Sequence, residues 1–365
     1  MNETLYRIAL TMVPNIGPVL SKNLLGYCGS AEAVFKEKKP ALSKIPGIGA
    51  SKAADIVKSK VLHRAEEELV FIEKNKIQIL FFLDDNYPRR LRHFDYSPLL
   101  LYYKGSQPLN PHRTVGIVGT RSPSVQGKMI TEKIVEDLSE LGVVIISGLA
   151  YGIDGCAHKK SVEKEIPTIG VMGNGHDIIY PATHKELAKK MIKNGGLLTE
   201  FCSQTRPDKV NFPMRNRIIA ALSDALIVVE SKTSGGSIIT AEFANEYNKD
   251  VFAIPGRPGD EWSGGCNALI KKHKAHLMED VNDLLYIMRW DDIDRKKTVQ
   301  TSMFIELDPE QEAIVDFIRM RKETGIEELI YGLNLPSSIL ASQLLALEFK
   351  GVVRALPGKR YILAY

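Results

Sequence analysis

Apolar residues change their period twice along this chain. Over roughly the first 65 positions they recur at helical spacing, as in Leu5, Ile8, Ala9 and Met12. Two glycine-containing turns punctuate them, Val13-Pro14-Asn15-Ile16-Gly17-Pro18 and Ile45-Pro46-Gly47-Ile48-Gly49, each read as the hairpin between two short helices. From about position 76 the pattern becomes short continuous apolar runs separated by amphipathic stretches. Ile77–Leu83, Pro98–Lys104, Thr114–Val118, Val143–Ser147, Pro167–Met172, Gly196–Glu200, Ala225–Val229 and Asp250–Ile254 predict strands, and Lys128–Leu141 a helix. Apolar strands of about five residues between helices predict a parallel sheet covered on both faces. Residues 291–304 carry no apolar period and read as a linker. Beyond it, helices over Glu310–Met320, Ile326–Leu333 and Ser337–Phe349 and a hairpin of Val352–Leu356 with Arg360–Leu363 predict a winged helix-turn-helix. The expected domains are therefore 1–65, 66–290 and 305–365.

Composition narrows the class. The 365 residues are 44% hydrophobic and 25% charged, as in folded proteins. Lys and Arg number 48 against 44 Asp and Glu, so any basic surface must be local. Cys28, Cys156, Cys202 and Cys266 are scattered without a C-x-x-C pair, which argues against a disulfide framework or a zinc site. No stretch has the length of a membrane span and the N-terminus lacks a signal-peptide pattern, so a cytoplasmic location is expected.

The candidate chemistry sits where strands end. Gly119-Thr120-Arg121, Ser147-Gly148-Leu149-Ala150-Tyr151-Gly152 and Thr233-Ser234-Gly235-Gly236-Ser237 each follow a strand and precede a helix. Orphan amides and the dipole at a helix N-terminus attract anions, and three such loops on one sheet edge predict a phosphate-lined crevice. The alternative is three tight turns. Gly170, Gly173 and Gly175 have the wrong spacing for a dinucleotide fingerprint, so no cofactor is expected. The stretch from Arg206 to Arg217 combines Lys209, Arg215 and Arg217 with Phe212. Cations there neutralise phosphates and the ring stacks on an unpaired base, unless Phe212 packs in the core. Asp154 and His158, four apart, read as a helix cap and a packed imidazole ahead of a metal or acid–base pair. The two helical hairpins either hold a DNA backbone through turn amides or are purely structural. The helix Ser337–Phe349 contains no Lys or Arg, and 308–365 hold seven basic against eight acidic residues. That favours a protein-contact or structural role over operator reading.

Together, Val118-Gly119-Thr120-Arg121, Ser147 to Asp154 with Ala157-His158, Asn211-Phe212-Pro213-Met214-Arg215-Asn216-Arg217, Ser234-Gly235-Gly236-Ser237 and Ile254-Pro255-Gly256 resemble the DNA-processing protein A family, also called Smf. The resemblance implies an α/β fold with an extended Rossmann-like sheet core, an N-terminal helix-hairpin-helix (SAM-like) domain and a C-terminal winged helix. It implies a protein that is not an enzyme and uses no metal. Such a protein binds single-stranded DNA, protects incoming strands in natural transformation, forms homodimers, and helps load the RecA recombinase onto DNA coated by single-strand-binding protein. The implied DNA contacts fall on Arg121, Lys209 and Phe212, with Arg215 and Arg217 as neighbours.

Two further expectations are open to test. The stretch Gly235 to Glu242 also resembles the phosphate loop of the lonely-guy phosphoribohydrolases, with Arg215 or Arg217 and Glu242 in the chemical roles, although Ile238 and Ile239 replace that family's Gly-Thr pair. Leu269 and Ile270, if both face outward, offer an apolar patch for a two-fold partner; otherwise both pack on the sheet.

Overall fold

The structure, a computed structural model, describes residues 3–290, 307–321, 324–333, 335–356 and 359–363. The chain divides into two compact units, Met1–Trp290 and Asp291–Tyr365. The expected linker, 291–304, and the hairpin turn at Pro357-Gly358 lie outside the described residues.

The first unit opens with six helices: α1 (Glu3–Thr11), α2 (Pro18–Cys28), α3 (Ala31–Lys36), α4 (Lys39–Leu42), α5 (Gly49–Lys58) and α6 (Val61–Asn75). There follow β1 (Gln78–Phe81), α7 (Arg89–Arg92), β2 (Leu100–Gly105), β3 (Arg113–Val118), α8 (Val125–Asp137), β4 (Val143–Ser147), α9 (Ile153–Glu163), β5 (Thr168–Val171), α10 (Lys185–Asn194) and β6 (Gly196–Thr199). The unit is completed by α11 (Asn211–Leu222), β7 (Ala225–Val228), α12 (Gly236–Glu246), β8 (Asp250–Ala253), α13 (Gly264–Lys271), β9 (His276–Leu277) and α14 (Val281–Met288). The expected strands are all present, with ends that agree to within a residue or two.

The sheet order is β1-β2-β6-β5-β4-β3-β7-β8-β9. The chain leaves β3 toward β4, β5 and β6, then returns to β7 on the other side of β3. That reversal is a topological switch point, and it opens a crevice at the carboxyl ends of β3, β4 and β7. The sheet is not wholly parallel as expected. The strands from β3 to β9 run parallel, but β2 pairs antiparallel with β6 and β1 antiparallel with β2. The reason lies in alternation along β2. Leu101 and Tyr103 enter the sheet's own core, whereas Leu100 and Tyr102 enter a core built with Leu5, Ile8, Ala65 and Ile72 of the helices. Both faces of β2 are thus covered, one by the sheet's helices and one by the N-terminal bundle.

The same packing bears on the expected boundary at 65. That position falls inside α6, whose Ala65 and Ile72 belong to the helical core. Glu68, also on α6 and 1% exposed, accepts hydrogen bonds from the Ser203 backbone N–H at 2.9 Å and from Arg64 Nη2 at 2.8 Å. The bundle and the sheet domain are therefore joined by buried polar contacts as well as by shared apolar ones.

The second unit holds α15 (Pro309–Arg321), β10 (Thr324–Gly325), α16 (Ile326–Leu333), α17 (Ser337–Phe349), β11 (Val353–Leu356) and β12 (Arg360–Leu363). Its strands form a small antiparallel sheet in the order β10-β12-β11, and Ile314, Ile318, Leu329, Leu340, Leu344 and Leu347 make its own core. β10 is an addition that the apolar pattern, two residues long here, does not announce. Among the described residues no single helix is long and apolar enough to cross a membrane.

Removing the Glu68 carboxylate leaves Arg64 and the Ser203 amide without their buried acceptor. Glu68→Ala is expected to destabilise the chain by about 3 kcal/mol, read as a lower urea midpoint; an unchanged midpoint would contradict this account of the joint.

Candidate nucleic-acid interface

At the switch point lies an open cavity of about 410 Å³. Its walls come from Gly119, Thr120 and Arg121 after β3, from Lys209 and Phe212 at the start of α11, and from Gly235 and Gly236 before α12. The three glycine loops expected to converge do converge. They do not contribute alike.

The first two are closed by the protein's own groups. At the start of α8, Ser124 caps Gly127 N–H at 2.9 Å, and Glu230 accepts from Ser124 N–H at 2.9 Å. In the second loop, Gly148 N–H donates to Asp154 Oδ2 at 3.1 Å and Leu149 N–H to His158 Nε2 at 3.3 Å. Ser147 is fully buried, its hydroxyl donating to the Ile117 carbonyl at 2.6 Å. Ser147 and Gly148 therefore build the crevice from behind and are not contact groups. Gly152 has φ 80°, and a side chain there would run into the Thr120 carbonyl, so glycine is what lets the first two loops touch. The third loop leads into α12, which no side chain caps at Gly235, as none caps α9 at Gly152 or α11 at Val210, so these N-terminal amides are left to the cavity. Ser237 is turned inward, its hydroxyl donating to Ser231 Oγ at 2.8 Å.

Arg215 lies beneath the floor, 3% exposed. Its Nη1 donates to the Gly148 carbonyl and, at 2.6 Å, to the Val171 carbonyl, tying α11 to the ends of β4 and β5. Burial pulls its pKa down to about 10, with Asp154 opposing and Arg121 assisting. Burial likewise raises the Asp154 carboxyl, against the pull of Arg215 and the Gly148 and Ala150 amides. His158 is pushed down to about 3 by burial, with His184 and Arg215 adding to it. Its Nε2 accepts from Leu149, so Nδ1 carries the proton and meets Thr168 Oγ1 at 2.7 Å. His158 is packed as expected, but Asp154 does not cap a helix: it lies inside α9 and accepts from the Gly148 N–H of the loop before it. Among the described residues no cluster of His, Cys, Asp or Glu is arranged for a metal.

The cations at the surface are different ones. Arg121 and Lys209 are exposed and have no ion-pair partner among the described residues. The Arg121 guanidinium lies over the half-buried Phe212 ring, 5.0 Å from its centroid. Tyr180, 39% exposed, stands 5.9 Å from the same ring. Phe212 is thus neither a core residue nor a free one: one side is held by Arg121 and Tyr180 at the lip of the cavity. Lys232 and Trp262 also line the cavity, with Lys232 Nζ 4.5 Å from the Trp262 ring. Sequence reading passed over both, along with Tyr180. Trp262 is one of only two tryptophans, which is the signal that was there to use.

Two expectations are corrected, and the rival enzymatic reading can be tested on its residues. Arg217 does not reach the crevice; it is ion-paired with Glu200 and donates to the Tyr96 carbonyl at 2.5 Å, because two residues along α11 from Arg215 it lies about 200° round the helix. Leu269 is 3% exposed within the sheet core and Ile270 packs against the same core, because the apolar stripe of α13 is wide enough to cover both. No outward patch exists at that pair. Glu242 is half exposed, pairs with Lys274 at 3.6 Å and does not line the cavity, so it is not assembled with Arg215 as phosphoribohydrolase chemistry would need.

An α/β sheet with a switch-point crevice edged by free cations and aromatic rings defines a Rossmann-like domain. Comparison with known proteins narrows this. The DNA recombination-mediator protein A family matches residues 78–289, a SAM-like helix-hairpin-helix tandem matches 8–59, and a DprA winged helix domain matches 305–359. Protein Smf of Synechocystis sp. is 37% identical over 78% of this chain and 72% of its own length. DNA processing protein DprA of Bacillus subtilis is 43% identical over 51% of this chain and 63% of its own. The X-ray structure of DNA processing protein A from Streptococcus pneumoniae superposes with a TM-score of 0.63 at 34% identity, covering 78% of this chain and 98% of that one. A Helicobacter pylori structure, addressing the single-stranded DNA binding mode of its DNA processing protein A, has a TM-score of 0.54 at 29% identity, over 59% and 97% of the two chains. The chain belongs to the DprA/Smf family.

The neutral His158 sets a pH dependence. Between pH 6.5 and about 3 the unfolded imidazole is protonated while the folded one is not, so folding releases a proton and stability falls on acidification through that window. The slope of the urea midpoint against pH over this range should be shallower in His158→Gln than in the unsubstituted chain. Equal slopes would mean that His158 is not held neutral.

Proposed function

We propose that this chain holds single-stranded DNA in the switch-point crevice and acts on it by binding, without catalysing a reaction. The observation that carries the reading is the Arg121–Phe212 pair at the lip of an open cavity, with Lys209 and the α12 N-terminus around it. Unpaired cations beside an aromatic face suit a flexible strand whose bases are free to stack, and a duplex presents no such bases. The reading agrees with the single-stranded DNA binding mode addressed in the Helicobacter pylori relative.

The family resemblance extends the proposal. The bound strand is incoming DNA in natural transformation or an intermediate of homologous recombination. The chain protects it and helps load the RecA recombinase onto it in place of single-strand-binding protein, in the cytoplasm and as a homodimer. With Leu269 buried and Ile270 packed against the same core, a dimer would have to use another surface.

Titrations with single- and double-stranded oligonucleotides across salt test the site. Arg121→Ala and Lys209→Ala should each flatten the slope of log affinity against log salt by about 0.7, the value per phosphate on a single strand. Phe212→Ala should weaken binding by about 1–3 kcal/mol at nearly constant slope. Preference for duplex, or normal binding by the triple variant, would sink the proposal.

The uncharged α17 generates a separate expectation. The winged-helix fragment 305–365 should show no submicromolar affinity for duplex DNA at physiological salt, because its recognition helix brings no cation to the phosphates. Such affinity in a filter or anisotropy assay would reverse the assignment of this unit to protein contacts.

A further inference from the structure

A second groove, about 740 Å³, lies on the other side of Arg121 from the first crevice. It runs between α8 and α9 and is lined by Arg121, Lys128, Tyr151 and Lys159, with Glu132 and Cys156 along its wall. Arg121 lines both hollows. A small depression lined by Arg121, Tyr151, Tyr180 and Phe212 bridges them. The path from one to the other thus passes over aromatic rings and one guanidinium.

The charge in this groove is selected. α8 and α9 carry other basic residues, and those are neutralised: Lys133 pairs with Asp137 at 2.7 Å, Lys160 with Glu163 at 3.0 Å, and Lys164 with Glu136. Lys128 and Lys159, the two that line the groove, are exposed and have no ion-pair partner among the described residues. Both lie close enough to Cys156 for their charge to oppose the upward push that burial and Glu132 exert on its thiol. The groove's one lining carboxylate, Glu132, faces that thiol at 3.7 Å. Tyr151 is 44% exposed, and its ring meets the edge of His184 at 5.8 Å. His184 is itself buried, with Nδ1 3.0 Å from the Leu149 carbonyl, so the tyrosine rests on a fixed support.

We propose that this groove is a second segment of the binding track, where the sugar-phosphate backbone of a single strand leaving Phe212 passes over Tyr151 and is neutralised by Lys128 and Lys159. The first crevice grips a few nucleotides, and the second is reached only by a longer strand. A stacking platform followed by a cationic groove is the arrangement that single strands need, since each base offers a face and each linkage a charge. The proposal rests on the reading of the first crevice as a single-strand site. It adds a length dependence which that reading alone does not contain.

The test is a length series on the full chain, with oligothymidylates of roughly 4 to roughly 16 nucleotides. The variant K128Q/K159Q is compared with K133Q/K164Q, which removes two lysines that are already paired on the same helices. K128Q/K159Q should bind the shortest strand as the unsubstituted chain does and should lose about tenfold in affinity for the longest. Its salt slope on the longest strand should fall by about 1.4, two phosphates at about 0.7 each. K133Q/K164Q should lose less than half as much slope. Unchanged affinity of K128Q/K159Q for long strands would overturn the proposal. So would an equal loss at every length, or an equal loss in the control pair. A parent chain that binds no single strand of any length would fail earlier, at the first crevice, and take this extension with it.

Discussion

The buried guanidinium of Arg215 is the contact around which the crevice is organised. A charge with 3% exposure needs partners, and here the Gly148 and Val171 carbonyls accept from its Nη1 and the nearby Asp154 offsets its charge, although its Nε is left without an acceptor. Those acceptors belong to the ends of β4 and β5 and to the loop between β4 and α9. The contact therefore sets the height of α11 over the sheet edge, and with it the position of Phe212, three residues earlier and at the lip. Gly148 is glycine for the same reason: a side chain there would occupy the space of the guanidinium.

The basic residues of the α11 region divide by depth. Arg215 is structural charge and Arg217 is spent on Glu200, while Lys209 is left in solvent. Their spacing in the chain is short, and a helix carries successive residues about 100° apart, so neighbours of like chemistry end in unlike surroundings. What remains for an anion is set by which charges the fold leaves unpaired, and by the field of those it buries just below.

Helix N-termini show the same economy. α8 begins at the crevice held by Ser124 and Glu230, and the loop before α9 is satisfied by Asp154 and His158. These groups make the loops rigid. α12, like α9 and α11, begins beside the cavity without a side-chain cap. A frame of this kind suits a chain of phosphates, because contacts to a backbone carry no sequence information.

The sequence by itself determined the element order. Apolar runs of five between amphipathic stretches predicted the strands to within a residue or two, because burial on both faces demands continuous apolarity. It also determined that glycine loops at strand ends would meet, since parallel strands place all such loops on one edge. Arg121, Lys209 and Phe212 were legible from residue type and motif. Tertiary structure alone decided the antiparallel β1–β2 edge, whose alternating faces serve two cores. It alone decided that Arg215, Ser147 and Leu269 are buried, that Arg217 pairs with Glu200, and that Trp262, Tyr180 and Tyr151 reach the track. The reason is physical: local pattern records period and hence which face of an element is apolar, whereas ion pairing, capping and exposure depend on groups tens to hundreds of residues away, such as Glu230 at Ser124 or Glu200 at Arg217.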